Sequence, residues 1–483
     1  MLQGTASHVG KSILTAALCR IFFQDRRAVS PFKAQNMALN SFVTREGLEM
    51  GRAQVAQAEA AGIEPRVAMN PVLLKPTGNS ESQVIIDGRP VGNMSAREYH
   101  TRFSLRAFDA VKNSIEKLRE DFDTLVIEGA GSPAEVNLRD TDIVNMRVAK
   151  YLDAPVILVA DIDRGGALAS IVGTLELLEP DERDLVKALI INKFRGDLSL
   201  FTPAVEFLEN KTQKPVLGVI PFIPKLGIDD EDSVSLDEKD SESNREIKIA
   251  VIRLPKISNF TDFDSFEGES DVSLKYCSST EELDEFNPDV IILPGSKNTI
   301  GDLEFLNRSG IAQKIREFNS NSGIIFGICG GYQMLGRKIF DPNHVESNRD
   351  SIDGFGFFDF ETTFAEKKIT RQVSTRHVKF DFLNATLEFD DLSGYEIHSG
   401  ISESNQISTS QNIFGTYIHG IFDNDQFRRE ILNLIRLRKN LPPIESTRNI
   451  RSEKQRAYDR LAKIVRESIN MDLLYKILEG SKC

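Results

Sequence analysis

The chain has 483 residues, of which 40% are hydrophobic and 27% charged, and it carries a formal net charge of −13. That length predicts two to four domains, and that balance predicts globular units with ample core. The negative charge argues against a general nucleic-acid binder, and no apolar run reaches the length of a membrane span.

The cysteines at 19, 277, 329 and 483 stand far apart and form no C-x-x-C pair, which predicts a reducing compartment and no zinc site. The N-terminus lacks a signal-peptide pattern, because a glycine-rich turn begins almost at once. A cytoplasmic protein is expected.

Residues 4–12 read GTASHVGKS. This resembles a phosphate-binding loop, with five residues between the glycines instead of four. Backbone N–H groups and a helix N-terminus would cradle phosphates, Lys11 would reach the terminal phosphates, and the Ser12 hydroxyl would ligate Mg²⁺. Only residues 1–3 precede the loop, which predicts a very short first strand or a truncated start.

Apolar segments follow at 124–127, 155–160, 188–191 and 216–220, ending in EGAG, DIDRGG, NKFRGD and PFIP. Strands of this kind between helical stretches predict a parallel sheet covered on both faces. Ligands of such sheets lie beyond the carboxyl ends of the strands. Glu128 is therefore a candidate metal ligand. Asp161 and Asp163 are candidates for positioning substrate or a second metal, or for structural pairing with Arg164. Asn192 stands where an amide could read a purine edge. Lys33, in PFKAQN, is a candidate cation for a phosphate or a substrate carboxylate.

Residues 226–246, LGIDDEDSVSLDEKDSESNRE, cannot bury a core and predict an acidic linker. It separates an expected domain at 1–225 from a second α/β unit at 247–440, which is followed by a helical tail at 441–483. In the second unit, strands are predicted at 247–253, 290–294 and 324–328, with β-rich sequence around 352–418. Amphipathic helices are predicted at 425–440 and 452–479.

Residues 323–336, GIIFGICGGYQMLG, have the form of a nucleophile elbow. An apolar strand stops at Cys329, and glycines at 327, 330 and 331 permit a sharp turn into a helix, whose N-terminus would favour a thiolate. The base must come from six histidines. His419, in GTYIHGIF, is preferred over His398, in GYEIHSG, because a strand-end histidine beside glycine can project into a cleft. His100, His344 and His377 read as surface residues. Gly295 and Ser296, in VIILPGSKNT, with Gly330, could supply an oxyanion hole.

These segments occur together and in order in a known family. GTASHVGKS, PFKAQNMALNS, NPVLLKP, VIEGAGSPAEVNL, DIDRGG, INKFRGD, PGSKNT, GICGGYQMLG, GYEIHSG and GTYIHGIF resemble, essentially end to end, the glutamine-dependent adenosylcobyric acid synthases of cobalamin biosynthesis. The N-terminal half is similar to dethiobiotin synthetase, and the C-terminal half is similar to class I glutamine amidotransferases. The resemblance implies an α/β chain that joins a P-loop parallel-sheet domain to an amidotransferase domain. It implies that Cys329, activated by His419, releases ammonia from L-glutamine. It also implies that ATP·Mg²⁺ activates peripheral carboxylates of a corrinoid substrate, adenosylcobyrinic acid a,c-diamide. Gly4, Thr5, Ser7, Gly10, Lys11 and Ser12 would bind ATP, Ser12 and Glu128 would hold Mg²⁺, and Asn192 would sit near the adenine.

His8 departs from the acidic residue expected in the family's loop. Ile421 stands where many class I amidotransferases carry a carboxylate, so Glu396, Asp423 or a backbone carbonyl is expected to orient His419. The competing readings are a cobyrinic acid a,c-diamide synthase, a cell-wall isoglutaminyl amidase, or a P-loop ATPase switch fused to an inert amidotransferase-like domain.

Overall fold

The computed structural model describes residues 1–77, 81–224, 227–228, 245–446 and 448–480. Most of the expected acidic linker lies outside the described residues. The N-terminal sheet is parallel and built from Val/Ile/Leu-rich segments. Its main part runs Leu2–Gly4, Val156–Asp161, Val186–Phe194, Val216–Pro221. A parallel bridge between Leu2 and Glu128 joins it to the pair Val29–Phe32 and Thr124–Ile127. The first strand is short but held in register, with Leu2 opposite Ile157 and Gly4 opposite Val159.

Between the second and third segments of this sheet in chain order lies an insertion. Gln35–Met37, Val72–Pro76, Glu81–Ile86 and Arg89–Ser95 form a small mixed sheet, and Ser41–Val43 pairs with Glu49–Gly51 as a hairpin.

The second unit has a six-stranded sheet in the order Val272–Cys277, Ile247–Ile252, Val290–Leu293, Ile324–Ile328, Ile413–Thr416, Ile407–Ser410. All its pairs are parallel except the last. The central strands are buried throughout, as continuous apolar runs require. The β-rich region forms the long antiparallel pair Glu361–Thr375 and Leu392–Ser402 beside this core.

The chain then returns to its beginning. Helices Ile450–Ser468 and Met471–Gly480 replace the single predicted helix at 452–479. The break is at Ile469, which is extended and bridges Gly218 at the edge of the N-terminal sheet. Tyr458, Leu461, Ala462 and Val465 join the N-terminal core. Arg20 donates to Asp459 at 2.8 Å, and Tyr458 donates to Glu59 at 3.0 Å. Among the described residues no helix is long and apolar enough to cross a membrane.

Candidate functional site

Strand Ile324–Ile328 ends at Cys329, whose backbone stands at φ 50° and ψ −105°. Such a conformation costs a non-glycine residue about 1–3 kcal/mol and persists only where its surroundings impose it. Here the Cys329 N–H donates to the Thr416 carbonyl at 2.8 Å. The flanking glycines are steric requirements. A Cβ on Gly327 would lie 2.6 Å from the Leu335 side chain, and one on Gly331 would lie 1.9 Å from the Leu293 carbonyl oxygen.

His419 follows strand Ile413–Thr416 and exchanges backbone hydrogen bonds of 2.8 and 3.1 Å with Tyr395. The Tyr395 ring stacks on its imidazole at 5.3 Å. The Cys329 sulfur lies within electrostatic reach of the imidazole and 3.7 Å from the Ile397 carbonyl oxygen, and the imidazole Nδ1 lies 2.7 Å from Asp262 Oδ2. Asp262 Oδ1 accepts from the Gly420 N–H at 3.0 Å. Burial opposes charge on His419, but the Asp262 carboxylate and the Cys329 sulfur outweigh it and push the imidazole up to about 10. The imidazole is therefore held in its protonated form beside Cys329.

Asp262 corrects the expectation for the orienting group. Glu396 is held by Arg371 at 2.7 Å and Gln406 at 2.9 Å, and the carboxylate on His419 Nδ1 is that of Asp262. It sits in the turn Phe260–Phe263, far upstream of the histidine. His398 instead directs Nδ1 at the Gly400 carbonyl at 2.7 Å and stacks on Tyr417 at 4.0 Å.

Gly295 and Ser296 pair antiparallel with Ile257 and Ser258. Because the Lys297 N–H donates to the Lys256 carbonyl at 2.9 Å, ladder alternation turns the Ser296 N–H away from Ile257. A Cβ on Gly330 would come within 2.9 Å of that nitrogen, so Ser296 and Gly330 are close neighbours. Ser296 Oγ donates to Asp302 at 2.6 Å, and burial pushes the Asp302 carboxyl up to about 7.

In the N-terminal unit, Gly10 at φ 95° caps helix Lys11–Gln24. Its missing side chain is essential, since a Cβ would lie 2.2 Å from Asn192 Nδ2. Asn192 donates to the Val9 carbonyl at 2.8 Å, and Lys193 donates to the His8 carbonyl at 2.8 Å. Both thus brace the loop backbone. Lys11 bends back to the carbonyls of Ala6 at 3.0 Å and Gly131 at 3.2 Å. The carboxylate of Glu128, nearly fully buried, accepts from Ser12 Oγ and Lys33 Nζ at 2.8 Å each and from Gln57 at 2.6 Å. Asp161 pairs with Lys193 at 2.8 Å, and Asp163 pairs with Arg195 at 2.7 Å instead of with Arg164.

The cavity beside Cys329 and His419 is not bounded by one unit alone. Lys75 of the N-terminal insertion lines it, together with Lys297 and Lys368. Glu49 on the hairpin accepts from Lys75 at 2.9 Å and from Lys368 at 2.7 Å. Asn40 Oδ1 accepts from the Phe260 N–H at 3.1 Å, and Asn259 Oδ1 accepts from the Ser41 N–H at 3.1 Å. Residues 40–41, inside the PFKAQNMALNS segment, thus clamp the turn that carries Asp262. Glu49, Asn259 and Lys368 have no local sequence signature.

Residues 248–427 match the family model described as a CobB/CobQ-like glutamine amidotransferase domain, and residues 1–229 match an AAA domain. The chain is 52% identical to the cobyric acid synthase of Carboxydothermus hydrogenoformans over 99% of each chain. It is 50% identical to that of Moorella thermoacetica, covering 99% of this chain and 96% of the relative. It is 51% identical to that of Alkaliphilus metalliredigens, covering 99% of this chain and all of the relative.

Proposed function

The chain belongs to the cobyric acid synthase family, and from that membership we propose that it amidates the b, d, e and g carboxylates of adenosylcobyrinic acid a,c-diamide to give adenosylcobyric acid. It is a glutamine-hydrolysing, ATP-dependent amide ligase. The observation that carries this reading is the Cys329–His419–Asp262 arrangement in a cavity walled partly by the unit that bears the phosphate-type loop.

In the amidotransferase unit, Cys329 Sγ attacks the side-chain amide carbon of glutamine. The Ser296 and Gly330 N–H groups receive the developing oxyanion. His419, held as imidazolium by Asp262, gives its proton to the departing ammonia and then activates the water that hydrolyses the thioester. In the N-terminal unit, the backbone of residues 4–12 would receive the phosphates of ATP, and Lys11 would swing from the Ala6 and Gly131 carbonyls to the transferred phosphoryl group. A hydroxyl and a carboxylate are the hard oxygen donors that Mg²⁺ takes, and Ser12 Oγ and Glu128 Oε1 already converge at 2.8 Å. Bound there, the ion would neutralise phosphate charge. In the described state Lys33 supplies the positive charge beside Glu128. An acyl phosphate supplies the leaving group that a carboxylate lacks, and ammonia made next door reaches it concentrated and unprotonated.

The test is a mass measurement on the corrinoid after incubation with ATP, Mg²⁺ and glutamine. Successive replacement of hydroxyl by amide is expected, while Cys329→Ser retains the reaction only when ammonia is supplied. No mass change with folded wild-type protein refutes the reading.

A further inference from the structure

L-Glutamine brings two charges besides its reacting amide, an α-carboxylate and an α-ammonium, and a buried cavity must answer both. The cavity beside Cys329 is lined by Lys75, Lys297, Lys368 and Glu346. Two of these ammonium groups are already answered, because Lys75 and Lys368 share Glu49. Lys297 is different. It is 9% exposed, yet among the described residues its ammonium makes no hydrogen bond and no salt bridge. Burial pulls its pKa down, and the Glu346 carboxylate opposes that pull from nearby. Glu346 has Oε2 on the Thr299 N–H at 3.1 Å. Of the three lysines, Lys297 is thus the one whose ammonium hydrogen bonds are left for a ligand carboxylate.

We propose that Lys297 binds the α-carboxylate of glutamine and Glu346 its α-ammonium, with Lys75, Glu49 and Lys368 closing the pocket across the interface between the two units. This rests on the reading of Cys329 as the glutamine-attacking nucleophile. It makes the pocket a joint product of both units, since Lys75 and Glu49 belong to the N-terminal insertion.

Steady-state ammonia release by the full-length protein tests it with three probes: L-glutamine, 4-aminobutanamide, which lacks the α-carboxylate, and glutaramate, which lacks the α-amine. Lys297→Met is expected to raise KM for glutamine about 10-fold or more with kcat changed only a few-fold. The preference of kcat/KM for glutamine over 4-aminobutanamide is expected to collapse by a similar factor. Glu346→Gln is expected to erode the preference over glutaramate instead. Thermal melting and alkylation of Cys329 by iodoacetamide report folding of each variant, and Lys297→Gln serves if the methionine variant does not fold. A folded Lys297 variant with unchanged KM and unchanged discrimination overturns the proposal. Wild-type protein that hydrolyses no glutamine overturns both the proposal and the reading beneath it.

Discussion

Asp262 Oδ2 lies 2.7 Å from Nδ1 of His419, with both side chains buried and the turn that carries Asp262 clamped by Asn40 and Ser41 of the other unit. The acid that sets the charge of His419 is thus positioned by the part of the chain that carries the phosphate-type loop.

Asp262→Asn removes the largest influence that raises the His419 pKa. Glutaminase kcat is expected to fall about 100-fold or more, and the alkaline limb of its pH profile, set in the wild type near the imidazole value of about 10, moves to lower pH. The sign for stability follows from the same shift. A histidine raised from 6.5 contributes stability that is complete below 6.5 and lost as pH rises toward 10. Thermal melting against pH should therefore show a flatter alkaline slope in the variant than in the wild type.

Glu49→Gln leaves two buried ammonium groups, those of Lys75 and Lys368, without their shared counter-charge. Breaking such a pair costs about 3–5 kcal/mol, measurable by denaturant titration. Burial alone would raise the Glu49 carboxyl, but Lys368 and Lys75 hold it well below the carboxylate range. Its contribution is complete above the ordinary value of 4.5 and is lost as pH falls below it. The variant should consequently lose less stability than the wild type on acidification.

Lys11→Met removes the cation that would meet the transferred phosphoryl group. ATP-dependent amidation is expected to fall about 100-fold or more, whether glutamine or ammonia is the nitrogen source. Cys329 should keep its reactivity toward iodoacetamide, since the Ala6 and Gly131 carbonyls that accept from Lys11 both lie in its own unit. A parallel fall in thiol reactivity would contradict this assignment.

Gly331→Ala places a Cβ 1.9 Å from the Leu293 carbonyl oxygen, an overlap that only a shift of strand or helix can relieve. A destabilisation of about 3 kcal/mol or more is expected. Gly131→Ala meets open space at φ 58° and bears only the backbone cost, so it should lose less. Chemical denaturation of the two variants side by side checks the ranking.

Local sequence was sufficient for several strands whose apolar run ends in a polar or glycine-rich turn, though not for Val272–Cys277. Thr124–Ile127 and Ile324–Ile328 stand at their predicted bounds. The elbow at Cys329 was legible because its geometry demands glycine at fixed offsets, and the loop at 4–12 because phosphate binding demands glycine, lysine and serine in one order. The helix predicted at 452–479 was legible as helix but not as two, because the break at Ile469 is made by pairing with Gly218, a long-range event.

What sequence determined by itself is therefore the form of contiguous backbone: an elbow that lifts Cys329 from a strand, a glycine-rich loop that opens a helix, and strands that end in polar residues. Tertiary structure alone decided which acid meets which base. Asp262, Glu346 and Glu49 carry no local pattern, because a carboxylate acts through space and needs only to be brought within hydrogen-bond or Coulombic reach. Folding the N-terminal insertion against the amidotransferase unit brought them there.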